Sequence, residues 1–335
     1  MHWKFWNSRQ DAMPSPGQPD WERALINRMA ADYLRDQRTR RRWGILFKSL
    51  ILLYLIGILA AAYSQDLTER IASSEDHTAL IEINGVIAPE TDASADHVIA
   101  ALRSAFKTDH VKGVILRINS PGGSPVQAGY INDEIRRLKA DYHKENGKDL
   151  PVYAVAADIC ASGGYYIAVG SDAIYVDKAS LVGSIGVRID SFGFQDVIQK
   201  LGIERRLLTA GDNKGILDPF SPLPESQRTF IQGVLNTLHQ QFIAEVKAGR
   251  GDKLKGGDEL FSGLFWSGQQ AIALGLADGL GSASSVAREV IGTERVVDYT
   301  QKQDLLTTYA KRFGLSFGAG MLARLETLLG NTIQY

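Results

Sequence analysis

The stretch VYAVAADICASGGYYIAVG, residues 152–170, decides the fold. Val152–Ala157 is a short apolar run suited to a strand buried inside a sheet, and the small-residue run Ser162–Gly170 behind the turn reads as a helix. A serine that ends a strand, opens a helix and is followed by two glycines sits at the carboxyl edge of a sheet, where open α/β folds build their sites. Toward the N-terminus the pattern predicts a helix over Val126–Tyr142, the loop Asn119–Ser124, a strand over Gly113–Ile118, a helix over Ala93–Phe106 and a strand over Ala79–Ile87. Toward the C-terminus it predicts strands at Ala173–Val176, Ser184–Ile189 and Arg205–Thr209, with helices at Phe194–Leu201 and Pro224–Lys247. Strands alternating with crossover helices argue for an α/β domain with a mainly parallel sheet. No solenoid-type repeat interrupts the series.

The chain has 335 residues, 44% hydrophobic and 22% charged, enough for a sizeable buried core. A formal net charge of −1 supplies no whole-molecule field to gather nucleic acid. Cys160 is the single cysteine, so the chain forms no internal disulfide and no cysteine-based metal site.

The N-terminal region differs from the rest. Gly44–Tyr63 reads GILFKSLILLYLIGILAAAY, with Lys48 as its one charge. About twenty residues at ~1.5 Å each cross a hydrocarbon core of roughly 30 Å, longer than the about 7 to 15 residues of a signal-peptide core, so a retained anchor is expected. Arg35, Arg38, Arg40, Arg41 and Arg42 precede it, whereas Ser64–Glu75 mixes Asp66, Glu69, Arg70 and Glu75. A nucleic-acid patch is the alternative use of those arginines, but the span behind them favours the positive-inside rule, with the N-terminus cytoplasmic and the chain after residue 64 outside. The expected layout is a basic cytoplasmic tail over 1–43, holding the loop-like Met13–Pro19 stretch. An anchor over 44–63, a linker over 64–78, the α/β domain over 79–300 and a helical extension over 301–335 follow. In that extension Met321, Leu322, Leu325, Leu328 and Leu329 recur at helical spacing, which suits a subunit contact, a gate over a chamber or ordinary core packing, with the subunit contact preferred.

Three glycine-rich turns follow apolar strands: Ser120-Pro-Gly-Gly123, Ala161-Ser-Gly-Gly164 and Gly183-Ser-Ile-Gly186. Any one alone is an ordinary tight connection; three in order point to a site. Ser162 can expose its hydroxyl while backbone N–H groups of Gly163 and of Gly122 or Gly123 aim at the same space, as acyl transfer through a tetrahedral oxyanion requires. Neither nucleotide-binding glycine motif occurs at the first turn. A serine nucleophile needs a base. None of His2, His77, His97, His110, His143 and His239 sits in a persuasive motif, and Lys214, in AGDNKG after a predicted strand, is the other candidate. Lysine acts as a base at neutral pH only where burial disfavours its charge. Cys160, two residues before Ser162, is a rival nucleophile, although its place on the strand side of the turn suits a packed thiol.

Over roughly residues 79–290 the chain resembles the short, single-repeat form of the signal peptide peptidase A family. The matching stretches are INSPGGSP (118–125), ASGGYYIA (161–168), ASLVGSIGV (179–187), AGDNKG (210–215) and FSGLFWSGQQAIALGLADGLG (261–281). The resemblance implies Ser162 as nucleophile, Lys214 as general base, Ser184 as the residue that orients the lysine, and Gly123 and Gly163 as oxyanion donors. Gly215 departs from the larger or polar residue expected after the lysine. It also implies a crotonase/Clp-like fold of repeated β-β-α units and a ring- or dome-shaped homo-oligomer, expected to be an octamer, in which serine and lysine of one site come from adjacent subunits. Signal peptides and other apolar peptides are the implied substrates, and the bacterial inner membrane, with the catalytic domain periplasmic, the implied location. No metal, cofactor or nucleic acid is required. Two rivals stay in play: a crotonase-type acyl-CoA enzyme, disfavoured by an outward-facing domain, and an inactive membrane-tethered quality-control scaffold, disfavoured by the intact Ser162, Ser184 and Lys214 set.

Overall fold

The structure, a computed structural model, describes residues 21–72 and 75–301. The chain divides into two compact units, Met1–Arg70 and Ile71–Tyr335. The first is built on one helix, α1 (Trp21–Ala72). Residues 64–72, expected as linker, continue this helix. Ile45, Leu46, Phe47 and Leu50–Ile56 lie exposed along it. Among the described residues no helix is long and apolar enough to cross a membrane. The expected span runs on past Gly57, and the side chains of residues 58–72 lie outside the described residues, as do the Met13–Pro19 loop and the C-terminal extension beyond residue 301.

The second unit is a mixed, mostly parallel α/β sheet. Its elements are β1 (His77–Asn84), α2 (Ala95–Lys107), β2 (Val111–Ser120), α3 (Pro125–Asn146), β3 (Val152–Ala161), α4 (Gly163–Ala168), β4 (Ala173–Val176), β5 (Leu181–Gly183), α5 (Gln195–Lys200), α6 (Glu225–Arg250), β6 (Phe265–Ser267), α7 (Gly268–Ala273), β7 (Gly279–Leu280) and β8 (Val296–Asp298). The strand order is β6-β5-β3-β2-β1-β8, with β4 pairing β3 and β7. Only the β5–β6 pair is antiparallel.

Alternation along β1 sends Ala79, Ile81 and Ile83 to a fully buried face shared with Leu116 and Ile118 of β2 and with Ala101, Leu102, Ile131 and Ile135 of α2 and α3. The opposite face carries a smaller cluster, Ile115 and Val155 against Val286 and Ala287. Local chemistry frames α3: Ser124 caps its N-terminus by accepting from the Gln127 N–H, Pro125 occupies its first turn, and Gly147 in the left-handed region ends it. Gln127 also accepts from the Ala95 N–H at 2.7 Å, pinning the start of α2.

Two expected strands are absent. Ser184–Ile189 lies beyond β5 with neither turn nor bend, because Gly183 (φ +111°) and Ser184 (φ +51°) rotate the chain out of the ladder. Arg205–Thr209 has no pairing partner among the described residues and stays irregular. What positions the site is the split partnership of β3. β4 pairs with Tyr153–Val155 and β5 with Ile159–Ala161, so β3 runs on past β4 and delivers Ser162 at the sheet edge.

Candidate active site

Ser162 caps α4 with φ +52° and ψ −122°, a backbone region that L-residues avoid. The ladder imposes it. The Ser162 N–H donates to the Gly183 carbonyl at 2.8 Å, while the Ser162 carbonyl already accepts from the Tyr166 N–H at 2.9 Å. The residue thus belongs to sheet and helix at once, and the sharp turn lifts its side chain from both, as in a nucleophile elbow.

The Ser120–Gly123 turn packs directly on this elbow. A Cβ on Gly122 (φ +103°) would fall 2.6 Å from the Ser162 Cβ and 2.8 Å from the Gly163 nitrogen; one on Gly123 (φ +153°) would fall 2.1 Å from the Ile87 carbonyl oxygen. Only glycine satisfies both the torsions and the approach. Ile87 clamps the turn from the other side: its N–H donates to the Gly122 carbonyl at 2.9 Å and its carbonyl accepts from the Ser124 N–H at 2.7 Å. The Gly122 N–H donates to the Ser120 hydroxyl at 3.1 Å. The N–H groups of Gly123 and Gly163 have no acceptor among the described residues, and a Cβ placed on Gly163 would be 3.3 Å from the Gly123 nitrogen. Two unpaired amides therefore adjoin one serine, the arrangement that holds an oxyanion.

A cavity of about 830 Å³ opens over the elbow. Ser162, Gly123, Gly163 and Ser184 all line it, so four of the five residues expected from the sequence meet there. Ser184 is held by its N–H donating to the Leu264 carbonyl at 2.7 Å. The fifth does not join them. Lys214 lies exposed in the 211–217 turn, with no ion pair or side-chain hydrogen bond among the described residues, and is not part of the lining. Gly215 beside it packs close to Leu207, whose Cδ2 would lie 2.7 Å from an added Cβ.

No other base takes its place. Among the described residues the lining contains no lysine, histidine, aspartate or glutamate. Among the described histidines, His77 bonds Glu75 and Tyr299, His97 bonds Thr91, His110 and His143 face Asp76 and Asp149, and His239 meets the Ile185 carbonyl. Cys160 is fully buried, and burial pushes its thiol up to about 12, far from a nucleophile's range.

The sequence did not reveal the cavity walls. Tyr166 and Phe242, ring centroids 5.1 Å apart, and Leu238 give the cavity apolar lining where α4 meets α6, and Val86 and Val126 add to it. Helical spacing in α6 could have flagged Leu238 and Phe242 as inward-facing, but not toward which partner. Residues 186–189 form an open edge: their N–H groups have no acceptor among the described residues, and Gly186, Val187 and Arg188 line the cavity.

Fold and turn geometry together define a mostly parallel α/β protein with a serine-centred site of the kind used in acyl transfer. Comparison with known proteins places it more closely. Residues 144–296 match the model of peptidase family S49. A candidate protease of Synechocystis sp., slr0021, is 30% identical over 63% of this chain and 72% of its own length. A candidate signal peptide peptidase SppA of Enterococcus faecium is 28% identical over 73% of each chain. A Brucella melitensis protein named Na+/H+ antiporter NhaA is 41% identical over 69% of this chain, which spans only 31% of that protein's length. The larger part of the Brucella protein lies outside the match. This chain belongs to peptidase family S49.

Proposed function

We propose that the chain is a membrane-anchored serine endopeptidase that degrades signal peptides and other apolar, membrane-associated peptides. The observation that carries the reading is the Ser162 elbow with the unpaired Gly123 and Gly163 amides beside it, facing a cavity with apolar walls. An extended peptide adds along the open 186–189 edge as a strand, which leaves its scissile carbonyl over Ser162. Ser162 gives its proton to the base and attacks the carbonyl, and the two amides stabilise the oxyanion. The C–N bond breaks as the amine leaves with that proton, and water then hydrolyses the acyl-enzyme to free the acid and Ser162. Relatives described as a signal peptide peptidase and a protease support this chemistry.

The base is Lys214 of a neighbouring subunit, oriented by Ser184. Among the described residues the lining around Ser162 holds no base, and Lys214 stands exposed in a stretch rich in exposed apolar side chains, with Phe192 74%, Leu201 68% and Leu208 95% accessible. Patches of that kind mark surfaces that another chain covers. A Clp-like ring or dome, expected to be an octamer, closes such a surface and supplies the lysine to the next site. The apolar residues 44–63 anchor the chain in a bacterial inner membrane with the catalytic unit periplasmic, a reading supported by the arginines before the span and the mixed charges after it.

The deciding experiment is intact-mass analysis after treatment with a serine-reactive phosphonylating probe. One adduct on the native protein, absent from Ser162→Ala and from Lys214→Ala but regained when the two variants are co-assembled, supports both the dyad and its sharing. An assembled native protein that stays unmodified overturns the peptidase reading, and failure of co-assembly to restore the adduct overturns the sharing.

A further inference from the structure

Arg188 is the one ionised side chain among the described residues lining the Ser162 cavity. Its neighbours in that lining are glycines, prolines, valines, Leu238, Phe242, Tyr166, Gln241 and serines, so nothing there opposes its charge. Its ion pair to Asp190 spans 3.5 Å between side chains 87% and 70% accessible, and so exposed a pair holds its partners weakly. The guanidinium is therefore available to a ligand, with five donors in a fork that fits a carboxylate.

Its place along the chain matters as much as its charge. From Ser184 to Arg188 the backbone has neither turn nor bend, and the N–H groups of 186–189 have no acceptor among the described residues. At about 3.3 Å per residue, four extended residues span about 13 Å. A peptide laid along this edge with its scissile carbonyl at Ser162 brings a residue about three to five positions from that bond beside Arg188.

We infer that Arg188 selects peptides that carry a carboxylate at that distance from the cut, and disfavours a lysine there. The carboxylate is an aspartate or glutamate side chain, or the C-terminal carboxylate of a short fragment. This inference rests on the peptidase reading of the Ser162 site and deepens it.

The test uses the full chain in detergent and a fluorogenic apolar peptide in which glutamate, glutamine or lysine is moved one position at a time on each side of the cut, together with acid and amide forms of the C-terminus. With the native protein kcat/KM for glutamate over glutamine is expected to be about threefold to tenfold at one or two adjacent positions, carried mainly by KM and shrinking as salt rises. In Arg188→Gln the ratio falls to about one, and in Arg188→Glu lysine overtakes glutamate. A matching gain from the free C-terminus alone assigns the carboxylate to fragment ends. Fluorescence anisotropy of the same peptides on Ser162→Ala protein reads the preference without turnover, so a failed peptidase reading is separated from a failed Arg188 reading. Equal turnover and equal binding of the three residue types and both C-terminal forms at all positions overturns the inference, as does a glutamate preference that survives in Arg188→Glu.

Discussion

Ser162 holds a φ of +52° that costs on the order of 1–3 kcal/mol, and the hydrogen bonds that lock it come from β5 on one side and α4 on the other. Such strain persists only where the surroundings over-determine it, and Gly122 is part of those surroundings. In Gly122→Ala the added methyl meets the Ser162 Cβ and the Gly163 amide, so the elbow and the amide beside it must move. Labelling of Ser162 is expected to slow by about 100-fold or more, the cost of losing one oxyanion donor, while urea unfolding shows a loss of about 1–3 kcal/mol. Labelling at the native rate in a folded Gly122→Ala protein would contradict the geometry drawn around Ser162.

Between elements, two charged clusters do the joining. Arg250 at the end of α6 has a 2% accessible side chain, and donates to both Asp278 oxygens, at 2.6 and 3.2 Å, and to the Gly275 carbonyl. Burial alone would raise the Asp278 carboxyl, but hydrogen bonds from Arg250, Lys253 and the Ile174 amide outweigh it and hold the group below its ordinary value. Nearby, the buried Tyr165 hydroxyl donates to the Leu276 carbonyl, so α4, α6 and the segment before β7 share one fastening. Arg250→Met is expected to cost about 3 kcal/mol, with part recovered in Arg250→Met/Asp278→Asn because no buried carboxylate is then left short of its main partner; denaturant midpoints of the three variants check this.

Glu134 of α3 accepts from Arg103 of α2 and from Arg137 one turn on. The hydrogen bond from Arg137 leads in lowering its carboxyl; burial opposes, and Arg103 adds to the lowering, leaving it at about 2 against an ordinary 4.5. A group whose folded value lies below its unfolded one stabilises fully above the unfolded value. Its contribution is lost as pH falls from about 4.5 toward about 2. Unfolding curves of the native protein and Glu134→Gln, taken from pH 6 to pH 2.5, should therefore converge toward the acid end. A gap that stays constant would contradict the assignment.

At the scale of the whole molecule, the stretch of the second unit that carries Lys214 leaves a run of large apolar side chains exposed, among them Phe192, Val197, Leu201, Ile203 and Leu208. If a second copy covers them, Leu208→Asp is expected to shift native mass toward the monomer and to abolish labelling of Ser162 although Ser162 itself is untouched. A monomeric variant that still labels at the native rate would place the base within one chain. For the anchor, a reporter fused after residue 75 is expected to be active only if it is of the type that works outside the cytoplasm.

How much of this was legible beforehand follows from the range of the forces involved. Ser162, with Gly163 and the Gly122–Gly123 pair beside it, could be read from the sequence because a strand-to-helix turn with close backbone contacts is written locally, in glycines and a serine at fixed offsets, whereas Ser184 came only from the family resemblance. The long strands β1, β2 and β3 and the helices α2, α3 and α6 were legible for the same reason, since periodicity needs several residues to show. β6, β7 and β8 are two or three residues long, too short for any period, and exist because a neighbouring strand offers hydrogen bonds. Arg205–Thr209 has the composition of a strand but no neighbour, and so is not one. Only the tertiary structure brought Tyr166 against Phe242, opened the 186–189 edge, and put Arg188 in the cavity while leaving Lys214 out of it, because each depends on what distant segments pack beside.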